Sequence, residues 1–403
     1  PYAFQKGKTM TITLELSQFQ PKDRNFFAEM LPYVSPAIRN IQRQGDQVQV
    51  ELEERDEAEV TQKVGQLRDM ILNGQLSGKE VKIKTLEDHS DAVPLNQSPI
   101  FQTLLDTEGV KEIADGVYAY SDLFLQVYRY FDRKIEAFGK AAFGSVKQYD
   151  FPVLYPIDNY EKGGYFETFP HYIMFQTTMK NDLAVLDRFA QKGTQDKTIF
   201  EEMKTPTLVL RHATCAPVYQ FLSGSTIQRD APQTYLVSGR CFRNEAGNAY
   251  ELARLNEFNM KEYVFVGAPE TCAEKVGQAK ELWHFWQETF GLNCKVNTAN
   301  DSFFASNYKK LQFFQVLGDS KQEFVCRLDN PDKEIAAASA NFHRTHFSKP
   351  YNIRLDNGNF AYTACFAFGV ERLTYALLCQ KGLDVSKWDE KTVQELKQYD
   401  IEL

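Results

Sequence analysis

The sequence predicts an α+β fold in two parts. A small α/β domain occupies residues 10–86, and a larger domain over 99–403 holds an antiparallel sheet with flanking helices. Three observations predict this. Residues 10–86 alternate short period-two and helical stripes in the order β-α-β-β-α-β. From about 145 to 378, strands and helices alternate in the irregular way expected of an antiparallel sheet with helices against one side. The chain has 403 residues, 43% of them hydrophobic, which suffices for two or three domains with sizeable cores.

Taken in order, residues 1–9 precede Met10 and read as an expression-vector remnant. Thr11-Ile-Thr-Leu-Glu-Leu16 alternates as a half-buried strand, and Pro21 opens a helix over 21–32. Two strands, 37–43 and 47–54, flank Gln44-Gly45-Asp46, a hairpin signal. Val60, Val64, Leu67 and Ile71 share one face of a helix that ends near Asn73-Gly74. Glu80 to Thr85 reads as the closing strand of a ferredoxin-like unit, a fold that by itself says little about function. Residues 87–98, with Asp, His, Ser and Pro, read as a linker. From Ile100 to Phe138 the chain reads as mostly helical, with Val117, Tyr120, Phe124, Val127 and Phe131 forming a packed apolar stripe.

Composition narrows the function classes. No apolar run approaches bilayer-spanning length, and no charged-then-apolar leader is present. Seven scattered cysteines with no CxxC spacing argue for free thiols in a reducing compartment, so the expectation is a cytoplasmic protein. The net charge of −8 gives no sign of the basic face that captures nucleic-acid phosphates. Glu51, Glu53, Glu54, Asp56, Glu57 and Glu59 in the small domain would repel them.

The strongest constraint is the run Gly239-Arg-Cys-Phe-Arg-Asn-Glu245, followed by Arg254-Leu-Asn-Glu-Phe258-Asn-Met-Lys-Glu262 and, far downstream, Gly369-Val-Glu-Arg372. These residues suit ATP bent over a carboxylic acid. Arg243 can bridge the α-phosphate and the carboxylate, and Glu245 can accept from the adenine amino group. Arg254 can neutralise the outer phosphates, while Phe258 and Arg372 can sandwich the base. A lone FRxE is often a surface ion pair, but three such features in this order are not. The arrangement resembles motifs 2 and 3 of the class II aminoacyl-tRNA synthetases, nearest to the seryl enzymes and to amino acid:[carrier protein] ligases. Motif 1 has its match in Tyr149-Asp-Phe-Pro152-Val-Leu-Tyr-Pro156 and the following Tyr160 to Pro170, which the resemblance makes a homodimer interface.

The resemblance also implies a zinc site. Cys215, Glu262 and Cys365 match the Cys, Glu, Cys ligands of the carrier-protein ligases and archaeal-type seryl enzymes. Two thiolates and a carboxylate suit Zn²⁺ and leave a fourth position for the substrate amine. A buried cysteine alone is ordinarily packing, which is the reading for Cys241, Cys272, Cys294, Cys326 and Cys379. In Glu334-Ile-Ala-Ala-Ala-Ser339-Ala-Asn341-Phe-His343-Arg-Thr-His346, Glu334 would hold Mg²⁺ between ATP phosphates. Ser339 and Asn341 would order the substrate, and His343 and His346 would serve as hydrogen-bonding groups. Asp301-Ser-Phe-Phe304 and Lys321-Gln-Glu-Phe324 fit more loosely. Ala367 stands where the resemblance leads one to expect glycine.

The expected function is ATP-dependent activation of a small amino acid, followed by transfer to the phosphopantetheine thiol of a carrier protein. An atypical seryl-tRNA synthetase, or transfer to another amine or thiol, is the alternative. The long N-terminal coiled coil that grips tRNA in bacterial and eukaryotic seryl enzymes has no counterpart here. A catalytically silent regulator would have had no reason to keep Arg243, Glu245, Arg372 and the three zinc-type ligands.

Overall fold

A computed structural model of the chain describes residues 9–35, 37–73, 83–299, 321–330 and 332–401. The small domain is a three-stranded antiparallel sheet in the order Thr9–Glu15, Gln47–Glu53, Ile38–Gln44. Helices Pro21–Met30 and Glu57–Asn73 cover it. The central strand alternates strictly, burying Val48, Val50 and Leu52 against Phe26, Phe27, Val60, Val64, Leu67 and Ile71. Each such side chain contributes roughly 1.5–3 kcal/mol on burial, so the unit has a core of its own. Thr9, grouped by sequence with the remnant, begins the first strand opposite Glu53.

Two expectations change. The closing strand anticipated over 80–85 falls largely outside the described residues. Its last residue, Thr85, starts the strand Thr85–Asp88, which pairs with Cys294–Thr298 at the edge of the large sheet. The stretch read as a linker from 87 onward therefore begins as an edge strand. Glu87 fixes it by binding Lys280 at 2.6 Å and His284 at 2.9 Å. Second, Val117 and Tyr120 do not continue a helix. They lie on Val117–Tyr120, which pairs with Val110–Ala114 around Asp115-Gly116. The long helix starts only at Asp122 and runs to Phe143, burying Phe124, Val127 and Phe131. The helical spacing extended by chance into a hairpin whose turn signal, Asp-Gly, was present in the sequence.

Among the described residues the large sheet has eight strands in the order Thr85–Asp88, Cys294–Thr298, Lys321–Arg327, Glu334–Arg344, Tyr362–Gly369, Glu257–Gly267, Gln233–Phe242, Lys147–Tyr149. Every pairing is antiparallel except the last. Alternation gives its faces different tasks. Leu236, Tyr263, Phe265, Ala364, Phe366 and Phe368 join a core built with the helices Asp122–Phe143, Pro269–Phe290 and Val370–Lys381. The opposite face carries Tyr235, Val237, Val264 and Cys365, which pack against residues drawn from 155–227 and 347–361. No helix among the described residues is long and apolar enough to cross a membrane.

Candidate active site

The second face also carries the chemistry. Gln233–Phe242 and Glu257–Gly267 form a hairpin whose connecting loop holds Arg243, Glu245 and Arg254. The loop is pinned through Asn256. Its backbone N–H and side-chain amide donate to Gly116 O and Asp115 O, both at 2.8 Å. Its side-chain oxygen accepts from the Glu245 N–H at 2.8 Å, and its carbonyl accepts from the Arg243 N–H at 3.0 Å. Gly116 has φ +64° and backbone within 3.0 Å of where a Cβ would stand, so a side chain would push the hairpin off this loop. The hairpin is a supporting element that the helical reading of this stretch concealed.

Arg243 donates from Nε to His212 O at 3.2 Å, and its guanidinium lies 5.1 Å from the Phe258 ring centre. Arg254 reaches Glu245 through Nη1 at 3.3 Å and Glu29 of the small domain through Nη2 at 3.4 Å. Burial alone would lower the Arg254 pKa, but the two carboxylates outweigh it and raise it. Arg372, half-buried, donates to Ala253 O at 2.7 Å and Ala336 O at 3.0 Å. Burial, with Arg254 and Arg243 nearby, brings its pKa down to about 10. The structure thus brings Arg243, Glu245, Arg254, Phe258 and Arg372 together, with Arg243 rather than Arg372 facing the Phe258 ring. Positive charge concentrates where Glu245 is the buried counter-charge, an arrangement suited to a polyanion.

Gly239, at φ +132°, explains the start of the motif. Arg211 Nη2 lies 2.2 Å from the position of a Cβ there. The buried Arg211 uses the space to donate to Phe151 O at 2.8 Å, Arg240 O at 2.9 Å and Ser238 O at 3.2 Å.

Farther along the same face, the ligand atoms of Cys215, Glu262 and Cys365 all lie within 4.8 Å of one another, each residue buried. Cys215 caps the short helix Ala216–Phe221, while the other two stand on adjacent central strands. Burial and mutual proximity disfavour charge on this cluster. The Cys215 thiol is raised well above its ordinary range by its hydrogen bond with Cys365, by burial and by Glu262. Burial raises the Glu262 carboxyl, although Thr214 Oγ1 donates to it at 2.6 Å. A divalent cation would favour the deprotonated forms, and the donor set is the soft-plus-hard mixture that Zn²⁺ accepts. Thr214 escaped the sequence reading, although it immediately precedes a predicted ligand.

Register explains the rest. Glu262 stands opposite Ala367, which stands opposite Ser339, so Ala367 separates the carboxylate from the serine along one lateral row. Asn341 stands opposite Cys365 in the next row and donates to its sulfur at 3.6 Å and to Ser339 Oγ at 3.2 Å. An irregularity at Ala337 resets the alternation, so Glu334 shares the site face with Ser339 despite their odd spacing. Glu334 is exposed at the strand's start and pairs with Lys295 at 3.0 Å. His343 lies with Nε2 3.8 Å from Cys365 Sγ and Nδ1 3.3 Å from the Tyr219 hydroxyl. Burial lowers the His346 pKa. Lys321 to Phe324 form the neighbouring strand, with Lys321 bound to Glu323 at 3.0 Å; residues 301–304 lie outside the described residues.

Comparison with known proteins agrees with this geometry. Residues 199–381 match the family described as tRNA synthetase class II core domain (G, H, P, S and T). Amino acid–[acyl-carrier-protein] ligase 1 of Bradyrhizobium diazoefficiens is 28% identical over 319 residues, covering 77% of this chain and 94% of that protein. The type-2 serine–tRNA ligase of Methanocaldococcus jannaschii is 28% identical over 257 residues, covering 61% of this chain. The matched region spans about half (49%) of that ligase's length. Among solved structures, M. kandleri SerRS in complex with A. aeolicus tRNASec superposes with a TM-score of 0.70 at 19% identity, covering 97% of this chain and 78% of that one. The chain thus matches a class II tRNA synthetase core domain over residues 199–381 and is similar to amino acid–[acyl-carrier-protein] ligases and type-2 serine–tRNA ligases.

Proposed function

We propose that the protein activates a small amino acid with ATP, as the aminoacyl adenylate, and transfers it to the phosphopantetheine thiol of a carrier protein. The observation that carries this reading is that Glu262, Cys365 and Phe258 share one face of one sheet, with Cys215 brought against that face beside Glu262 and Cys365. Glu262 and Phe258 are four residues apart on one strand, roughly 13 Å at ~3.3 Å per residue, a span fit for one ligand with an amine at one end and a base at the other. In this reading Arg243 holds the amino acid carboxylate against the α-phosphate, and the carboxylate itself is the nucleophile, so no general base is required. Glu245 accepts from the adenine amino group, Arg254 binds the outer phosphates, and Arg372 closes over the base. Glu334 would hold Mg²⁺ there, releasing Lys295. Cys215, Glu262 and Cys365 would hold Zn²⁺, whose chemistry is to bind the substrate amine as a Lewis acid. Ser339 and Asn341 order the substrate beside Ala367, whose methyl limits the room for its side chain.

Carrier protein is favoured over tRNA because the similarity runs over 94% of the carrier-protein ligase but 49% of the serine–tRNA ligase. The acidic small domain and net charge of −8 point the same way. A cytoplasmic homodimer fits the seven free cysteines and the exposed cluster of Tyr149, Leu154 and Phe221 around the proline-bearing stretch. Pyrophosphate exchange across a panel of amino acids, with and without chelation, tests the first step. Offering total tRNA and holo carrier proteins to the loaded enzyme tests the second. Aminoacyl-tRNA with no carrier adduct by intact mass would overturn the choice of acceptor.

A further inference from the structure

The contact between the small domain and the hairpin loop has no role in the chemistry above. Tyr33 donates from its hydroxyl to Asn244 O at 2.6 Å, and its ring meets His171 edge-on at 5.0 Å. Asn248 donates to the Glu29 backbone carbonyl at 2.9 Å, and a Cβ on Gly247 would be 3.5 Å from Pro32. The end of helix Pro21–Met30 and the turn Leu31–Tyr33 therefore rest on residues 244–248, and this seat delivers the Glu29 carboxylate to Arg254.

Arg254 presents a fixed fork. Nη1 is committed to Glu245, which is 3% exposed, whereas Nη2 is bound at 3.4 Å by Glu29, a side chain 32% exposed. An incoming phosphate is a stronger partner for guanidinium than a second carboxylate, and on the Nη2 side it meets Glu29. Two anions on one side of one guanidinium also repel.

We propose that Glu29 is a positioning residue that competes with the outer phosphates of the nucleotide for Arg254, so that the small domain sets the affinity of the site for ATP. The proposal rests on the reading of Arg254 as a phosphate ligand. Nucleotide binding displaces the Glu29 carboxylate, while Tyr33 and Asn248 keep the domain edge close enough for it to return once pyrophosphate leaves. A nucleotide without outer phosphates does not meet this competition.

The test measures binding of MgATP and of AMP by calorimetry to the whole protein and to its Glu29→Gln variant, with Glu29→Ala as a second variant and thermal melting as a check of folding. Removing a half-exposed carboxylate from this pair should tighten MgATP about fivefold and leave AMP within error. In pyrophosphate exchange the ATP concentration for half-maximal rate should fall by the same factor, with no loss of rate at saturation. Unchanged or weaker MgATP binding, or equal tightening of MgATP and AMP, overturns the proposal. Failure of the underlying reading looks different, because Arg254→Ala would then bind MgATP as the wild type does.

Discussion

Thr214→Val isolates one hydrogen bond on a candidate metal ligand. The threonine is wholly buried, and its hydroxyl donates to Glu262 Oε2 at 2.6 Å. Valine has nearly the same shape, so the change removes the donor and leaves no cavity. Its effect falls on the ionised carboxylate, the form a metal requires. A hydrogen bond to a charged group in a buried site is worth about 1.5–3 kcal/mol, or roughly 10- to 150-fold in an equilibrium constant. The variant should therefore bind Zn²⁺ about 10- to 150-fold more weakly, measured by competition with a chromophoric chelator. The loss should grow as pH falls, because burial already raises the Glu262 pKa and removing the donor raises it further, so metal binding must displace a more tightly held proton. Wild-type Zn²⁺ affinity in a folded Thr214→Val protein would refute the assignment of Glu262 as a ligand.

Three further outcomes are expected. Arg243→Ala should slow pyrophosphate exchange by about two orders of magnitude, the effect of losing a charge-assisted contact of roughly 3 kcal/mol in a desolvated site; near-normal exchange would show that the motif is misplaced. Glu371 is fully buried, accepts from Asn259 N at 2.9 Å, and has its pKa raised by burial to about 7. A raised folded-state pKa contributes stability at low pH that is lost as pH climbs through it, so between pH 5 and 8 the wild type should lose about 2–3 kcal/mol relative to Glu371→Gln in denaturant unfolding. Gly239→Ala should cost on the order of 2–4 kcal/mol, since the methyl meets Arg211 and φ is +132°; a thermal melt matching the wild type would contradict the close approach.

The site was legible in the sequence to the extent that its chemistry lies in short runs. Arg243 and Glu245 are two residues apart, and Arg254, Phe258 and Glu262 follow at four-residue steps, so a single hairpin presents them. Burial does not separate Cys215 from Cys241, because both are buried. What separates them is which sulfur meets Glu262 and Cys365, a matter of register between strands more than a hundred residues apart. Only resemblance reached that far. The Glu29–Arg254 contact, across 225 residues, left no local trace. The hairpin over 110–120 was hidden by competition between two periods: Val117, Tyr120 and Phe124 satisfy helical spacing, and Asp115-Gly116 carried the opposing signal. Its importance became visible only through Asn256, which ties that turn to Arg243 and Glu245. The closing strand of the small domain was assigned by pattern completion, but an edge strand pairs with whatever edge offers open backbone groups, and Thr85–Asp88 pairs with the large sheet.

The charge balance around the loop points to how occupancy and stability are coupled. Arg243, Arg254 and Arg372 lie near enough that the first two depress the third, and Glu245 is a buried carboxylate among them. Such clusters carry a standing electrostatic cost, which a large apolar core such as that behind this sheet can offset. A bound polyphosphate would convert mutual repulsion into shared attraction, a gain that enters its Kd and so stabilises the fold by RT ln(1 + [L]/Kd). The same reasoning separates the two ends of the site. Near Glu262 a buried carboxylate meets two buried thiols, whereas near Arg372 three guanidiniums gather around Glu245. A single sheet face with two thiols and a carboxylate at one end and an arginine cluster at the other is what the proposed reaction asks for, a metal and a nucleotide held together with the amino acid between them.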